Sequence, residues 1–149
     1  MRRRGPLLLA PLALCALFGL GCPGDGSQLV EPMVPDGGDG ETVTLAELQQ
    51  NIFGGVCSNC HTVGGLGSFM YLDSEENTYA SLVGQPSFEL KRLLRVAPGD
   101  PESSYLVWKI EGRPEILGER MPPPSAGEAA LSAAEIAAIR QWILDGAAP

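Results

Sequence analysis

The sequence predicts an all-α protein of four to five short helices, and three observations support this class. Capping-box patterns, in which a hydroxyl residue is followed three positions later by glutamate, occur at Thr44 and Glu47 and again at Ser132 and Glu135. After each box, apolar residues recur at intervals of three and four, which is the spacing of one buried helical face. No segment shows the alternation of apolar and polar residues that is typical of a half-buried β-strand.

The first predicted helix begins after Thr44 and continues to the pentapeptide CSNCH at residues 57–61. Its buried face is expected to consist of the apolar residues Leu45, Leu48, Ile52 and Val56. Glycines at positions 64, 65 and 67 have low helix propensity and predict a loop after the pentapeptide. CSNCH is therefore expected at the C-terminal end of this helix.

Two shorter helices are predicted next. The first covers residues 74–83 and ends at Gly84, and the second is a weaker segment over residues 88–96. The second segment holds the densest group of basic residues in the body of the chain, Lys91, Arg92 and Arg95. We expect these residues on a solvated helix face, and contact with an anionic cofactor group or an acidic partner is the alternative.

Two further helices complete the predicted body. Asp100 and Pro101 are the residue types preferred at the N-cap and at the first helical position, and Gly112 is expected to end the helix that they begin. The closing helix begins after Ser132 and ends at Gly146. Its buried face is expected to consist of Ile136, Ile139, Trp142 and Ile143.

The pentapeptide CSNCH has the C-x-x-C-H pattern of a c-type haem attachment site. The thiols of Cys57 and Cys60 can each add to a porphyrin vinyl group to form a thioether, and the imidazole of His61 then lies on one axis of the iron. A metal clip is disfavoured, because a structural zinc site needs four ligands and the body holds no other cysteine. A redox dithiol is the remaining alternative, but the flanking pattern is helical instead of βαβ. We therefore expect one covalently attached haem c.

Met121 is expected to supply the second axial ligand of the iron. Because His61 is the only histidine in the sequence, a methionine thioether is the remaining strong-field candidate. Met121 precedes three prolines, which favour an extended conformation before them and stiffen the loop. Met70 is the alternative, but it lies only nine residues after His61, a short loop in which to reach the opposite face of a porphyrin.

Residues 1–21 have the order of an export signal, with three arginines, an apolar stretch and small residues at its end. The stretch is too short to span a bilayer. Cys22 follows in the run GLGC, which resembles the lipobox of bacterial lipoproteins, where cleavage before the cysteine leaves it to be acylated. An ordinary cleaved signal with an incidental cysteine is the alternative. We expect a periplasmic or cell-surface lipoprotein that is anchored to a membrane through Cys22.

Composition divides the rest of the chain and limits its partners. Residues 22–43 are rich in glycine, proline and acidic residues and predict a flexible linker, so residues 44–149 form one predicted domain. The net charge is −8, and it becomes −11 without residues 1–21, which hold three of the ten basic residues and none of the 18 acidic ones. This acidity argues against nucleic acid as a partner. We expect a monomer that meets redox protein partners.

Over residues 44–149 the chain resembles the monohaem class I c-type cytochromes. The matching parts are the opening helix that ends in CSNCH, the Met121-Pro122 loop and the amphipathic closing helix. Phe53 resembles the aromatic residue in the family's first helix that meets the last helix, where Trp142 is its expected partner. The resemblance implies a cytochrome c-like bundle around one covalent haem, which carries electrons and is not an enzyme. A haem-based enzyme or gas sensor, with a labile sixth ligand, is the alternative.

Two positions depart from the family pattern. Gln49 stands where the family often has a glycine in the first helix, so a wider or shifted helix crossing is expected. Asp73 lies in the region where the family often has a proline whose carbonyl accepts a hydrogen bond from the ligand imidazole. The sequence therefore does not identify the acceptor for His61, although such partners tune a bound metal.

Overall fold

The computed structural model describes residues 42–149. The predicted signal peptide, Cys22 and all but the last two residues of the predicted linker lie outside this range. Within the range the chain forms four α-helices, a π-helix and a short 3-10 turn at Pro124–Ala126, with isolated β-bridges but no β-strand. The all-α class is thus confirmed for the described residues. No helix in this part of the chain is long and apolar enough to cross a membrane.

The first helix begins where the sequence predicts. Leu45–Leu48 form α1, and both hydrogen bonds of the capping box are present. Thr44 Oγ1 accepts a hydrogen bond from Glu47 N at 3.2 Å, and the Glu47 carboxylate accepts one from Thr44 N at 2.9 Å. Because both bonds are local, the sequence alone was sufficient to locate this helix start.

The predicted helix reaches the pentapeptide, but after α1 it continues as a π-helix, Gln49–Cys57, instead of keeping the α-helical spacing that the sequence predicts. Cys57 follows Leu48 by nine residues, and an α-helix with about 3.6 residues per turn would place the two on opposite faces. The wider π turn brings Cys57 round toward the side of Leu48. As a result Leu48 is buried in the core and Cys57 contacts that core at the end of the helix.

The second helix, α2, spans Glu75–Leu82, in agreement with the prediction to within a residue. Ser74 caps it by accepting a hydrogen bond from Asn77 N at 3.2 Å. The helix is joined to the π-helix by Gln49, whose side chain accepts a hydrogen bond from Thr78 Oγ1 at 2.8 Å and donates one to Leu72 O at 3.0 Å. Gln49 thus connects three segments through hydrogen bonds instead of only widening a helix crossing.

The weak helix predicted over residues 88–96 is not formed. Its backbone groups bond to distant segments instead: Arg95 N donates to Gln85 O at 2.7 Å and Val96 N donates to Leu82 O at 3.1 Å. Leu94 takes part in two isolated bridges, one to residue 86 and one to residue 104. Pairing of this kind satisfies the backbone donors and acceptors without a helix.

The third helix, α3, spans Tyr105–Glu111 and begins four residues later than the prediction from Asp100 and Pro101. The Asp100 carboxylate accepts a hydrogen bond from Ser103 N at 3.0 Å, so it caps a turn that precedes the helix. The end of the helix agrees with the prediction, because Gly112 has a left-handed conformation with φ of 69°.

The closing helix, α4, spans Ala133–Leu144 and has the predicted capping box at Ser132 and Glu135. It packs against α1 and α3. The expected aromatic contact is present, with the rings of Phe53 and Trp142 edge to face and their centroids 6.3 Å apart. The core around this contact consists mainly of aliphatic side chains, among them Leu45, Leu48, Ile52, Val107, Ile110, Ile139 and Ile143.

A network of four charged side chains joins α3 and α4 at the surface. Arg140 pairs with Glu111 at 2.8 Å and with Glu102, and Arg113 pairs with Glu102 at 2.8 Å and with Glu111 at 2.6 Å. None of these residues lines the cleft described below. The network therefore lies apart from the candidate functional site.

Candidate functional site

The side chains that the sequence predicts to bind the cofactor all lie in one cleft of the described part of the chain. Cys57, Cys60, His61 and Met121 all line it. The space between its walls is about 960 Å³, which includes the open solvent at its mouth. The remaining wall is mostly apolar and includes Val56, Leu72, Leu82, Leu106, Ile110 and Leu131.

The thiols of Cys57 and Cys60 are free and partly buried at the end of the π-helix. Burial, reinforced by the negative charge of Glu135 and by Cys60, raises the pKa of the Cys57 thiol to about 12. A redox dithiol works through a thiolate of lowered pKa, whereas this environment favours the neutral thiol. The surroundings of Cys57 therefore disfavour the dithiol alternative.

His61 is buried and oriented by the loop that follows it. Its Nδ1 lies 3.2 Å from Gly67 O, so a proton on Nδ1 makes a hydrogen bond and leaves the Nε2 lone pair available for a metal. Burial lowers the pKa of His61, the hydrogen bond to Gly67 opposes that change, and the positive charge of Arg95 adds to it. The neutral form, which is the form that binds metals, is thereby favoured.

The loop closes on itself to bring Gly67 to the imidazole. Leu72 N donates a hydrogen bond to His61 O at 2.8 Å, and Gly67 N donates one to Cys60 O at 2.9 Å. A Cβ atom at position 67 would lie 2.2 Å from His61 Nδ1, so only glycine allows this approach.

The sequence interpretation of this loop missed the role of Gly67. It treated the glycine as a helix breaker and left the acceptor for His61 unidentified. Asp73, which occupies the region of the family's acceptor, accepts hydrogen bonds from Thr62 and Asn77 through its carboxylate. The signal that was present is the group of three glycines directly after the pentapeptide, since glycine also permits close backbone approach.

Met121 reaches the cleft from the loop between α3 and α4, and it is half-buried. Its N donates a hydrogen bond to Lys109 O at 2.8 Å, and its peptide bond to Pro122 is cis. Met70 also lines the cleft, but its N donates to Gly67 O at 3.1 Å, within the short loop that closes on His61. The two methionines therefore enter the cleft from different loops.

Two cations line the cleft, and the sequence singled out only one of them. Lys109 is almost buried, and its Nζ lies 3.2 Å from a Glu89 carboxylate oxygen and donates to Leu117 O at 2.8 Å. Arg95 donates to Ser81 O at 2.6 Å and, within residues 42–149, forms no ion pair with a carboxylate. Arg92 and Arg95, which are close in the sequence, therefore lie in different surroundings. The Arg92 guanidinium stacks on the Trp108 ring, 5.5 Å from its centroid.

Two aromatic rings at the cleft are largely exposed. Phe69 is 61% exposed and Phe88 is 74% exposed, and their centroids are 5.9 Å apart. Phe69 also lies edge to face with the His61 imidazole at 6.0 Å. Exposed rings grouped beside an apolar cleft are a surface that a flat hydrophobic ligand would cover.

Nothing in the described residues forms a protein-only metal cluster, because no three His, Cys, Asp or Glu side chains are grouped to hold an ion. No protein-family model matches the chain, and comparisons with curated proteins and with solved structures likewise found no match.

Proposed function

We propose that residues 44–149 form a cytochrome c-like domain that carries single electrons by means of one haem c. In this proposal Cys57 and Cys60 hold the haem covalently, and His61 and Met121 are the axial ligands of its iron. One observation carries the proposal. CSNCH and Met121 line the same apolar cleft, although Met121 lies sixty residues after His61 in the sequence. The contact of Phe53 with Trp142 supports the cytochrome c-like fold.

The side chains of the cleft fit such a group. When bound, the haem supplies an iron that alternates between the ferric and ferrous states. The Gly67 carbonyl orients the His61 imidazole and favours a proton on Nδ1, which would leave the Nε2 lone pair free to bind the iron. The apolar wall would exclude water, and Arg95, which forms no ion pair with a carboxylate among residues 42–149, suits the anionic propionates of a haem.

We further propose that the mature protein is exported and is tethered to a membrane through acylated Cys22. The support comes from the sequence of residues 1–22 and from covalent haem attachment, which takes place outside the cytoplasm in bacteria. The excess of acidic residues favours basic or neutral redox protein partners over nucleic acid.

The proposal is tested with protein produced in a bacterial host that has the c-type cytochrome maturation system. The purified protein should be red, its mass should exceed that of the polypeptide and lipid by one haem, and acidified organic solvent should not extract the colour. The double variant C57S/C60S, which keeps His61 and Met121, should release its haem to the solvent. Colourless protein with the mass of polypeptide and lipid alone would refute the proposal.

Carbon monoxide distinguishes an electron carrier from a haem enzyme or gas sensor. If His61 and Met121 both hold the iron, the reduced protein should bind carbon monoxide slowly or not at all, and Met121→Ala should bind it rapidly. The ferric wild type should also show the weak red absorption band of iron–thioether ligation, and Met121→Ala should lack it. Rapid binding by the wild type would favour the enzyme or sensor alternative.

A further inference from the structure

The segment that carries Met121 is an irregular loop, and side chains hold it closed. Residues 113–132 connect α3 to α4 with only the short turn at Pro124–Ala126 as regular structure. On the α3 side, the single backbone bond from Met121 N to Lys109 O fixes the start of the methionine-bearing turn. On the far side of Met121, the local backbone bonds of this 3-10 turn order the end of the proline run but do not connect it to α3 or α4. Side-chain contacts therefore contribute to where this part of the chain lies: Pro122 is buried, and Arg120 bonds across the loop.

Arg120 makes the contacts that cross this loop. Its guanidinium donates from Nη1 to Pro122 O at 2.5 Å and from Nη2 to Glu128 O at 3.4 Å. The two carbonyls lie on either side of the 3-10 turn, so one side chain connects the segments that flank this turn. Pro122 and Glu128 also line the cleft beside Met121. A second bond, from Ser125 Oγ to the Glu119 carboxylate, closes the same loop on its outer side.

The charge of Arg120 has no acidic partner among residues 42–149, in contrast to the charges of Arg113 and Arg140. The side chain is partly buried, and its stem passes close to Gly112 at the end of α3. A guanidinium that donates to two carbonyls at once uses its planar fork, which a lysine ammonium cannot reproduce. These contacts indicate a clamp on the backbone instead of a surface ion pair.

We infer that Arg120 is a positioning residue for Met121, and that it keeps the thioether at the iron by clamping the loop closed. The inference rests on the proposed haem function. It adds that Arg120 limits how readily the sixth ligand of the iron dissociates. Without the clamp, the loop opens more often, and Met121 leaves the iron for a larger fraction of the time. The sixth position of the iron then becomes accessible to small molecules.

The test compares Arg120→Gln with Arg140→Gln in the complete holoprotein. The two variants lose the same charge, but Arg140 lies in the surface network away from the cleft. Arg120→Gln should weaken the red iron–thioether band and accelerate carbon monoxide binding to the reduced protein on the order of tenfold, the scale of one charged hydrogen bond. Arg140→Gln should leave both properties unchanged.

Arg120→Lys provides a second measure if Arg120→Gln matures poorly. The lysine keeps the charge but has one nitrogen in place of the planar fork whose two nitrogens reach the two carbonyls, so its band intensity and carbon monoxide rate should lie between those of wild type and Arg120→Gln. Amide hydrogen exchange should be faster than in wild type at residues 121 and 125–128 of both variants and unchanged in α4.

The possible failures are distinguishable. Wild-type protein without covalent haem would refute the proposed function. Holoprotein in which Arg120→Gln and Arg120→Lys keep a wild-type band and a wild-type carbon monoxide rate would overturn only the role of Arg120. The same applies if Arg140→Gln changes both properties as much as Arg120→Gln, because the effect would then reflect general destabilisation.

Discussion

Phenylalanine side chains occupy two contrasting regions of this molecule. Where the π-helix crosses α4, Phe53 is 0% exposed and lies against Trp142, which is 1% exposed. At the cleft, Phe69 and Phe88 are 61% and 74% exposed, although they also contact each other. The first region buries its apolar surface with the protein alone. The second leaves apolar surface open beside the residues proposed to bind a haem.

The two regions also differ in what holds them. The crossing is built from helices whose apolar faces meet, so burial of apolar surface stabilises it. The cleft wall combines helix residues with loops, and the loops are closed by individual hydrogen bonds, such as those of Gly67, Lys109 and Arg120. We infer that the helix crossing provides most of the intrinsic stability, and that the cleft is the region whose stability depends most on a ligand.

The largest expected effect compares two truncations of the same side chain. Phe53→Ala removes a fully buried ring and should lower the free energy of unfolding by about 3–5 kcal/mol. Phe69→Ala should lower it by less than about 1 kcal/mol in haem-free protein, because its ring is already largely in water. Urea unfolding of both variants in the C57S/C60S background measures the difference. Equal losses would contradict the contrast between the two regions.

The same contrast explains how far the sequence predicted the fold. The helix starts at Thr44 and Ser132 and the end at Gly112 were predicted correctly, because caps depend on residues only a few positions apart. The conformation of residues 88–96 was predicted wrongly, because it depends on backbone hydrogen bonds to residues 82 and 85, which form only when the loops come together. The start of α3 was missed because Asp100 caps a turn with the same local chemistry as a helix cap.

The candidate site shows a similar division. The pentapeptide was sufficient to predict Cys57, Cys60 and His61 as haem-binding residues, because a covalent haem attachment motif is local in sequence. The cleft brings Met121 to the same place, but its part as a ligand stays a prediction. The acceptor at Gly67 and the loop contacts of Arg120 were not predicted, since each depends on where a closed loop places a carbonyl oxygen.

A smaller effect is expected from a methyl group added to the histidine loop. In Gly67→Ala the new Cβ would meet the His61 ring at 2.2 Å, so the loop must move and the hydrogen bond to Nδ1 weakens. We expect a loss of about 1–3 kcal/mol in unfolding free energy. The reduction potential of the holoprotein should rise, since an imidazole without its acceptor is less basic and supports ferric iron less.

Gly55→Ala is the matched control for this change. It adds the same methyl group in the π-helix, where nothing lies within 4 Å of the new Cβ. Unfolding and voltammetry should therefore show a stability equal to or above that of wild type and an unchanged potential. If Gly67→Ala also leaves the potential unchanged, the Gly67 carbonyl does not set the properties of His61.

The next effect concerns the pH dependence of the haem-free protein. Burial lowers the pKa of His61 below its ordinary value of 6.5, so the unfolded chain binds the proton more readily than the folded one. The free energy of unfolding should therefore fall as the pH decreases below 6.5, until the folded-state pKa is passed. Urea unfolding of C57S/C60S should show this slope, and adding His61→Gln should remove it. An identical slope in both proteins would assign the effect to other groups.

The smallest effect is expected from the surface network, and it tests whether charges or the core join α3 to α4. Arg140→Ala removes two ion pairs, but Arg113 still pairs with Glu102 and Glu111. The Glu102 side chain is 61% exposed, so water and salt screen these pairs. We expect the Tm to fall by about 2 °C or less, and the difference from wild type should disappear at high salt. A loss as large as that of Phe53→Ala would mean that the charged network holds the closing helix in place as strongly as the buried contact of Phe53 with Trp142 does.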